Sequence, residues 1–177
     1  RWAERRGLSR SEGHRAGTEN VRRITRSLAE RGVEFLTIYA FSTENWDRPR
    51  YEVRALMEML GRSIKSETPH LDAEGVRIRH LGRLDRLPES LRHAINRSVE
   101  LTSHNKGITL CVAFDYGGRE EILAATRRLI ASGVSQDDVS QEKLAAELYT
   151  AGIPDPDLII RTAGEMRMSN FLLWQAA

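Results

Sequence analysis

The sequence holds a single cysteine, Cys111, inside an apolar run. One thiol makes no intrachain disulfide and no metal-type spacing, so a reducing cytoplasm is the expected setting. No apolar stretch is long enough to cross a bilayer, and none reads as a secretory leader. The Gly-x-x-x-x-Gly-Lys loop is missing, as is Gly-x-Gly-x-x-Gly after a strand, which leaves nucleoside triphosphate and dinucleotide sites unsupported. There is no Gly-x-Ser-x-Gly elbow and no metal-type histidine cluster. Neither sign of charge dominates. A formal net charge of +2 excludes a polybasic nucleic-acid binder. Repeats, low-complexity tracts and linkers are absent, so the 177 residues are expected to form a single domain.

What is present is an alternation of strands and helices. Thr18 to Arg31 carries Val21, Ile24 and Leu28 at helical spacing and stops at Gly32. Val33 to Phe41 is a mostly apolar strand, expected to be buried on both faces. Arg50 to Lys65 is a helix with the stripe Val53, Leu56, Met57, Leu60, Ile64. That stripe fits core packing, and it also fits one wall of an apolar tunnel. Gly75 to Gly82 reads as a strand with one wet face, and Pro88 to Thr102 as a helix. Ile108 to Phe114 is a further strand, ended by Tyr116-Gly117-Gly118. Arg119 to Ala131 and Gln141 to Tyr149 read as helices, and Leu158 to Arg161 as the last strand, entered through the rigid turn Pro154-Asp155-Pro156. The segment from Phe171 to Ala177 reads as apolar and helix-like. Strands separated by helices predict an α/β fold with a mainly parallel central sheet flanked by helices.

Arginines stand where those strands run out. Arg48 follows the second of these elements through Ser42-Thr43-Glu44-Asn45-Trp46. Arg161 ends the apolar run Leu158-Ile159-Ile160, and Arg167 and Ser169 follow closely. Ligands of open parallel sheets bind at the carboxyl ends of strands, and guanidinium forks match phosphate oxygens. The chain therefore reads as a binder of phosphorylated substrates. Tyr116-Gly117-Gly118-Arg119 could cradle a phosphate at a helix start, but a tight turn is the better reading of so short a motif. His70, His80, His93 and His104 read as surface or structural. His14 lies with Arg10 in a Gly-rich polar stretch ahead of a helix.

Arg1-Trp2-Ala3, Gly13-His14-Arg15-Ala16-Gly17, Ala40-Phe41-Ser42-Thr43-Glu44-Asn45-Trp46-x-Arg48-Pro49, Tyr116-Gly117-Gly118-Arg119 and the run from Asp157 to Gln175 follow one another in order. Together they resemble the cis-prenyltransferases, with the nearest likeness to bacterial undecaprenyl diphosphate synthase. The resemblance covers the whole chain. It implies condensation of isopentenyl diphosphate with an allylic diphosphate, usually farnesyl diphosphate, to give a long Z-polyprenyl diphosphate. It also implies Mg²⁺, a homodimer, an apolar substrate tunnel, a cytoplasmic location, no nucleic-acid partner, and peripheral membrane contact for product release into a cell-wall lipid-carrier pathway.

By that resemblance, Arg1, Trp2, Arg10 and His14 surround the allylic diphosphate. Ser42, Thr43, Glu44, Asn45, Trp46 and Arg48 line the cleft. Arg161, Arg167, Met168 and Ser169 hold isopentenyl diphosphate, and Ala40, Phe41, Val53, Leu56, Met57 and Leu60 line the tunnel. Asn45 and His14 are the catalytic candidates. A neutral amide is a poor base, so Asn45 is assigned to positioning and a diphosphate oxygen to proton removal.

The family's Asp-Gly-Asn-Gly segment stands just before the Arg-Trp pair and supplies an essential Asp, and a metal-binding Glu follows the Trp-Gln segment. Both lie outside this sequence, which looks truncated at both ends, so no metal ligand is assigned within it and the chain alone is expected to be inactive. Ala163 replaces a common Gly or Ser, and Asp115 replaces a common Asn, with no effect assigned. A non-catalytic partner subunit of a hetero-oligomeric prenyltransferase is the alternative, opposed by the complete Ser42–Arg48 motif together with Arg10 and His14.

Overall fold

The computed structural model describes residues 2–162 and 164–177, and within them leaves out the side chains of Glu4, Arg10, Ser11 and His14. Five α-helices are described: α1 Arg10–Ala29, α2 Arg50–Ala73, α3 Glu89–Leu101, α4 Gly118–Ala131 and α5 Gln141–Ala146. Three strands, β1 Phe35–Ser42, β2 Arg77–Leu81 and β3 Thr109–Tyr116, form one sheet in the order β1-β3-β2. The strands are parallel. Arg77 N–H donates to Ile108 O at 3.0 Å, and Arg83 N–H donates to Asp115 O at 3.1 Å, so both numbers rise together. Central β3 is buried along almost its whole length. Edge strand β1 is only half-buried, with Ala40 exposed and Phe41 covered. The expectation that this strand is buried on both faces is therefore corrected, because among the described residues it has one neighbour rather than two.

Helix α1 starts eight residues before the sequence placed it. Ser9 and Glu12 form a reciprocal cap: Glu12 N–H donates to Ser9 Oγ at 3.2 Å and Ser9 N–H donates to Glu12 Oε2 at 2.8 Å. Two glycines after this cap, Gly13 and Gly17, hid the helix, since glycine lowers helix propensity. Gly13 has a packing reason, because a Cβ there would come 2.8 Å from Ala3 Cβ. Helix α2 runs past Lys65 to Ala73 with Pro69 inside it. Proline removes one ladder bond there, but buried Thr68 and Leu71 hold the last turns in the core. Leu81, which alternation puts on the same face of β2 as Arg77 and Arg79, is nonetheless fully buried.

Leu158 to Arg161 is not a strand, and Leu158 and Ile160 are exposed. A strand needs a ladder partner for its backbone groups, and among the described residues none pairs with this run. Phe171 to Ala177 forms turns instead of a helix. Leu172 has φ of 47°, a left-handed conformation that an interior helical residue does not adopt.

The chain divides into two compact units, each containing part of every strand. The first comprises Arg1–Ile38, Arg54–Arg79 and Leu87–Cys111. In it α1 meets α2 through a bidentate Arg22–Glu67 pair at 2.7 and 2.9 Å and through Arg26–Glu74. Buried Thr68 and Ser98 share a hydrogen bond at 2.8 Å between α2 and α3, and Thr102 Oγ1 accepts from Ile78 N–H at 3.0 Å. The second comprises Tyr39–Val53, His80–Arg86 and Val112–Ala177, and its core is aromatic. Phe41 stacks on Phe114 at 4.9 Å, and Tyr39 stacks on Phe171 at 4.5 Å.

Candidate functional site

Most of the sequence-predicted site residues fall in the second unit, where β1 and β3 end. The chain leaves β1 at Ser42 and enters a short 3₁₀ turn, Thr43–Asp47. Asn45 closes this turn, its Oδ1 accepting from Ser42 N–H at 3.1 Å. That oxygen is spent on backbone geometry, which agrees with a positioning role and gives the amide no basic character. Trp46 packs edge-on against Phe41 at 5.5 Å, and its Nε1–H donates to Asp115 Oδ1 at 2.8 Å. Arg48 is exposed at the end of the turn.

Asp115 is the residue whose effect the sequence left unassigned. It is buried, and its φ of 50° is one that Asp tolerates better than most side chains. Its carboxylate takes the Trp46 indole and both Nε (3.0 Å) and Nη2 of Arg86. Arg86 also lies over the Trp46 ring at 5.3 Å. Arg86 was missed altogether, because nothing in its local sequence marks a pairing across 29 positions.

After β3 comes Tyr116-Gly117-Gly118-Arg119. The tight-turn reading holds. A Cβ on Gly117 would fall 2.5 Å from Thr43 Oγ1 and 2.8 Å from Asn170 Nδ2. A Cβ on Gly118 would fall 2.8 Å from Leu173 Cγ. The start of α4 is already capped from within the chain: Gly118 N–H donates to Asn170 O at 2.7 Å and Arg119 N–H donates to Asn170 Oδ1 at 2.9 Å.

Buried Glu121 organises the ground beneath. It accepts from Tyr116 Oη–H at 2.5 Å, Tyr149 N–H at 2.9 Å and Gln175 Nε2 at 3.2 Å. Burial, with the Glu121 carboxylate adding to it, pushes the Tyr116 phenol far above its ordinary range.

The loop from Arg161 to Asn170 is drawn together by Arg161. Its Nη1 donates to Arg167 O at 2.7 Å and to Ser169 Oγ at 2.8 Å. Arg167 pairs with Glu165 at 3.3 Å, and its side chain is 68% exposed. Met168 is exposed. Ser169, Asn170 and Leu172 all have positive φ, of 50°, 61° and 47°. Three such non-glycine residues within four positions mark a backbone held by its surroundings. Tyr39 contributes from β1: its hydroxyl donates to Tyr116 O at 3.2 Å, and burial raises its pKa to about 12. The site thus gathers Thr43, Glu44, Trp46, Arg161, Ser169 and the main chain of Arg167 onto one framework.

In the first unit, Trp2 is half-exposed with the Arg6 guanidinium 4.3 Å over its ring. Arg1 lies outside the described residues, as do the side chains of Arg10 and His14. Met57 is buried, Leu56 and Leu60 are half-buried, and Val53, in the second unit, is buried. In the second unit His80 is structural, its Nε2 lying 3.0 Å from Phe114 O. Among the described residues no three His, Cys, Asp or Glu side chains group so as to hold a metal ion, and no helix is long and apolar enough to cross a membrane.

Comparison with known proteins gives the same answer from two directions. The family described as "Putative undecaprenyl diphosphate synthase" (Prenyltransf) matches residues 1–177. An isoprenyl transferase of Clostridium perfringens is 48% identical over 181 residues, covering 100% of this chain and 72% of its relative. One from Brucella abortus is 49% identical, covering 100% and 71%. The crystal structure of lavandulyl diphosphate synthase from Lavandula x intermedia, in complex with dimethylallyl diphosphate, superposes with a TM-score of 0.92 at 37% identity, over 98% of this chain and 77% of that one. That of "a probable undecaprenyl diphosphate synthase" from Campylobacter jejuni gives 0.82 at 33% identity, over 94% and 76%. The expectation that the chain by itself is inactive is not borne out by these matches, which run its full length. These matches run over the whole of this chain, and the chain belongs to the undecaprenyl diphosphate synthase family of isoprenyl transferases.

Proposed function

We propose that the protein condenses isopentenyl diphosphate with an allylic diphosphate, farnesyl diphosphate being the expected primer, and elongates it to a long Z-polyprenyl diphosphate such as undecaprenyl diphosphate. The observation that carries this reading is the Arg161–Asn170 loop. Arg161 uses Nη1 to hold Arg167 O and Ser169 Oγ, while the Arg167 guanidinium remains exposed beside Glu165. An exposed fork on a braced loop suits a diphosphate, which needs several donors at fixed spacing. A solved relative crystallised with dimethylallyl diphosphate supports the allylic partner.

In the reaction the allylic C–O bond breaks and diphosphate leaves with the electron pair. A C–C bond forms to the isopentenyl alkene, and a diphosphate oxygen takes the released proton. The chain's own work is positioning, which can contribute several kcal/mol to such a two-substrate step. Arg161, Arg167 and Ser169 are assigned to isopentenyl diphosphate, Arg1, Trp2, Arg10 and His14 to the allylic group, and Asn45 and Trp46 to the shape of the Ser42–Arg48 turn. Ala40, Phe41, Val53, Leu56, Met57 and Leu60 are assigned to the product tunnel. Mg²⁺ would neutralise the departing diphosphate. The described residues do not by themselves complete a metal site, so no step is derived through it. A homodimer, a cytoplasmic location and peripheral membrane contact at product release complete the proposal.

The test is incubation of the protein with farnesyl diphosphate, labelled isopentenyl diphosphate and Mg²⁺, followed by thin-layer chromatography. Label in long-chain product is expected. Its absence, alone and at every protein concentration, overturns the reading in favour of a non-catalytic partner subunit.

A further inference from the structure

Glu44 presents a physical problem if it lines a diphosphate cleft, because a carboxylate repels that anion. Its contacts point elsewhere. Oε1 accepts from Asn170 Nδ2 at 2.7 Å, and Oε2 accepts from Thr43 Oγ1 at 3.2 Å. Asn170 is simultaneously the cap of α4, through its main-chain O to Gly118 N–H and its Oδ1 to Arg119 N–H. An amide side chain accepts from a backbone N–H with its oxygen and donates to a carboxylate with its nitrogen; an ionised aspartate could do the first and would oppose the second. The φ of 61° is also one that Asn tolerates. Gly117 leaves room for the arrangement, since a Cβ there would strike both Thr43 and Asn170. Although burial opposes it, the hydrogen bonds to Glu44, from backbone, Asn170, Ser42 and Thr43, hold its carboxyl below the usual range.

We propose that Glu44 is a positioning residue: with Asn170 it forms a latch that fastens the Ser42–Arg48 turn to the start of α4 and to the Arg161–Asn170 loop, and it does not touch substrate. This rests on the reaction proposed above. It departs from the expectation that Glu44 lines the cleft, and it makes Asn170, absent from the sequence-derived site, the junction of three motifs.

The test exchanges the partners. Asn170→Asp keeps the acceptor for Arg119 N–H but sets two carboxylates against each other. Adding Glu44→Gln restores a donor–acceptor pair in reverse, with net charge unchanged. Measured well below the melting temperature of the least stable protein, N170D is expected to lose at least about tenfold in kcat/KM, and E44Q/N170D to return within about threefold of the parent. Melting temperatures should follow the same order. A double variant as impaired as N170D would mean that the Glu44 charge is needed at the substrate and would overturn the latch, as would an N170D indistinguishable from the parent. If the parent transfers no prenyl group, the proposed reaction fails, while the melting temperatures of the same three proteins still decide whether the latch exists.

Discussion

Replacing Asp115 tests whether the turn after β1 is held from beneath. In Asp115→Ala the Trp46 indole N–H loses its carboxylate partner, and a part-buried donor left without one costs about 1 kcal/mol or more. The Arg86 guanidinium loses both of its bonds to the carboxylate. Because the Arg86 side chain is 36% exposed, solvent screens the loss, and about 1 kcal/mol is appropriate rather than a buried-pair figure. Alanine at φ of 50° adds about 1–2 kcal/mol of left-handed strain. The expected total is about 3–4 kcal/mol. Asp115→Asn retains the shape, the tolerance of positive φ and one acceptor, and should cost about 1–2 kcal/mol. Urea denaturation of the three proteins, monitored by Trp fluorescence and circular dichroism, gives the values, with the m-value checking that the transition is unchanged. A cost for D115A below about 1 kcal/mol, or equal costs for the two variants, would refute the assignment of Asp115 as the anchor of Trp46 and Arg86.

Further outcomes follow from other parts of the site. Arg167→Ala should raise KM for isopentenyl diphosphate by at least about tenfold, since a multiply charged anion loses a charge-assisted partner; unchanged KM and kcat in steady-state assays would remove Arg167 from the site. Ala40→Leu should shorten the product while sparing the first condensations, read by thin-layer chromatography, with little cost in stability because Ala40 is exposed; an unchanged product length would remove Ala40 from the tunnel. Burial, partly countered by the Phe114 carbonyl and the Asp115 carboxylate, keeps the His80 pKa below its ordinary 6.5. The unfolded chain then binds the proton more readily, so the stability from neutral His80 is present above about pH 6.5 and is lost progressively as pH falls from there through the lower folded-state pKa. His80→Gln, which can still donate to Phe114 O, should flatten the decline of melting temperature between pH 7.5 and 5.5, and an unaltered slope would assign that decline to other groups.

Local sequence was enough for much of this protein. Periodicity placed three helices, α3, α4 and α5, and three strands to within a few residues, and found α1 and α2 with one end of each displaced, because a helix of the length of α3 or a buried strand such as β3 must repeat its apolar residues at its own period. The turn at Ser42 to Trp46 and the polar run Arg161 to Ser169 stood out in the sequence by their chemistry, but the strand expected before Arg161 did not form. The Ser9–Glu12 cap was also present in the sequence, but the glycines after it hid the signal.

Tertiary structure alone decided the rest. Whether a short apolar run becomes a strand depends on a ladder partner, so Leu158–Arg161 and Cys111's strand look alike in sequence and differ in structure. The left-handed backbone at Leu172, which ends the apolar tail as turns, is set by the packing of the tail and not by its composition. The couplings Trp46–Asp115–Arg86 and Glu44–Asn170–Arg119 join residues 29 to 126 positions apart. Hydrogen-bond pairing at such separations is fixed by where β1, β3 and α4 end in space, and no local rule encodes it.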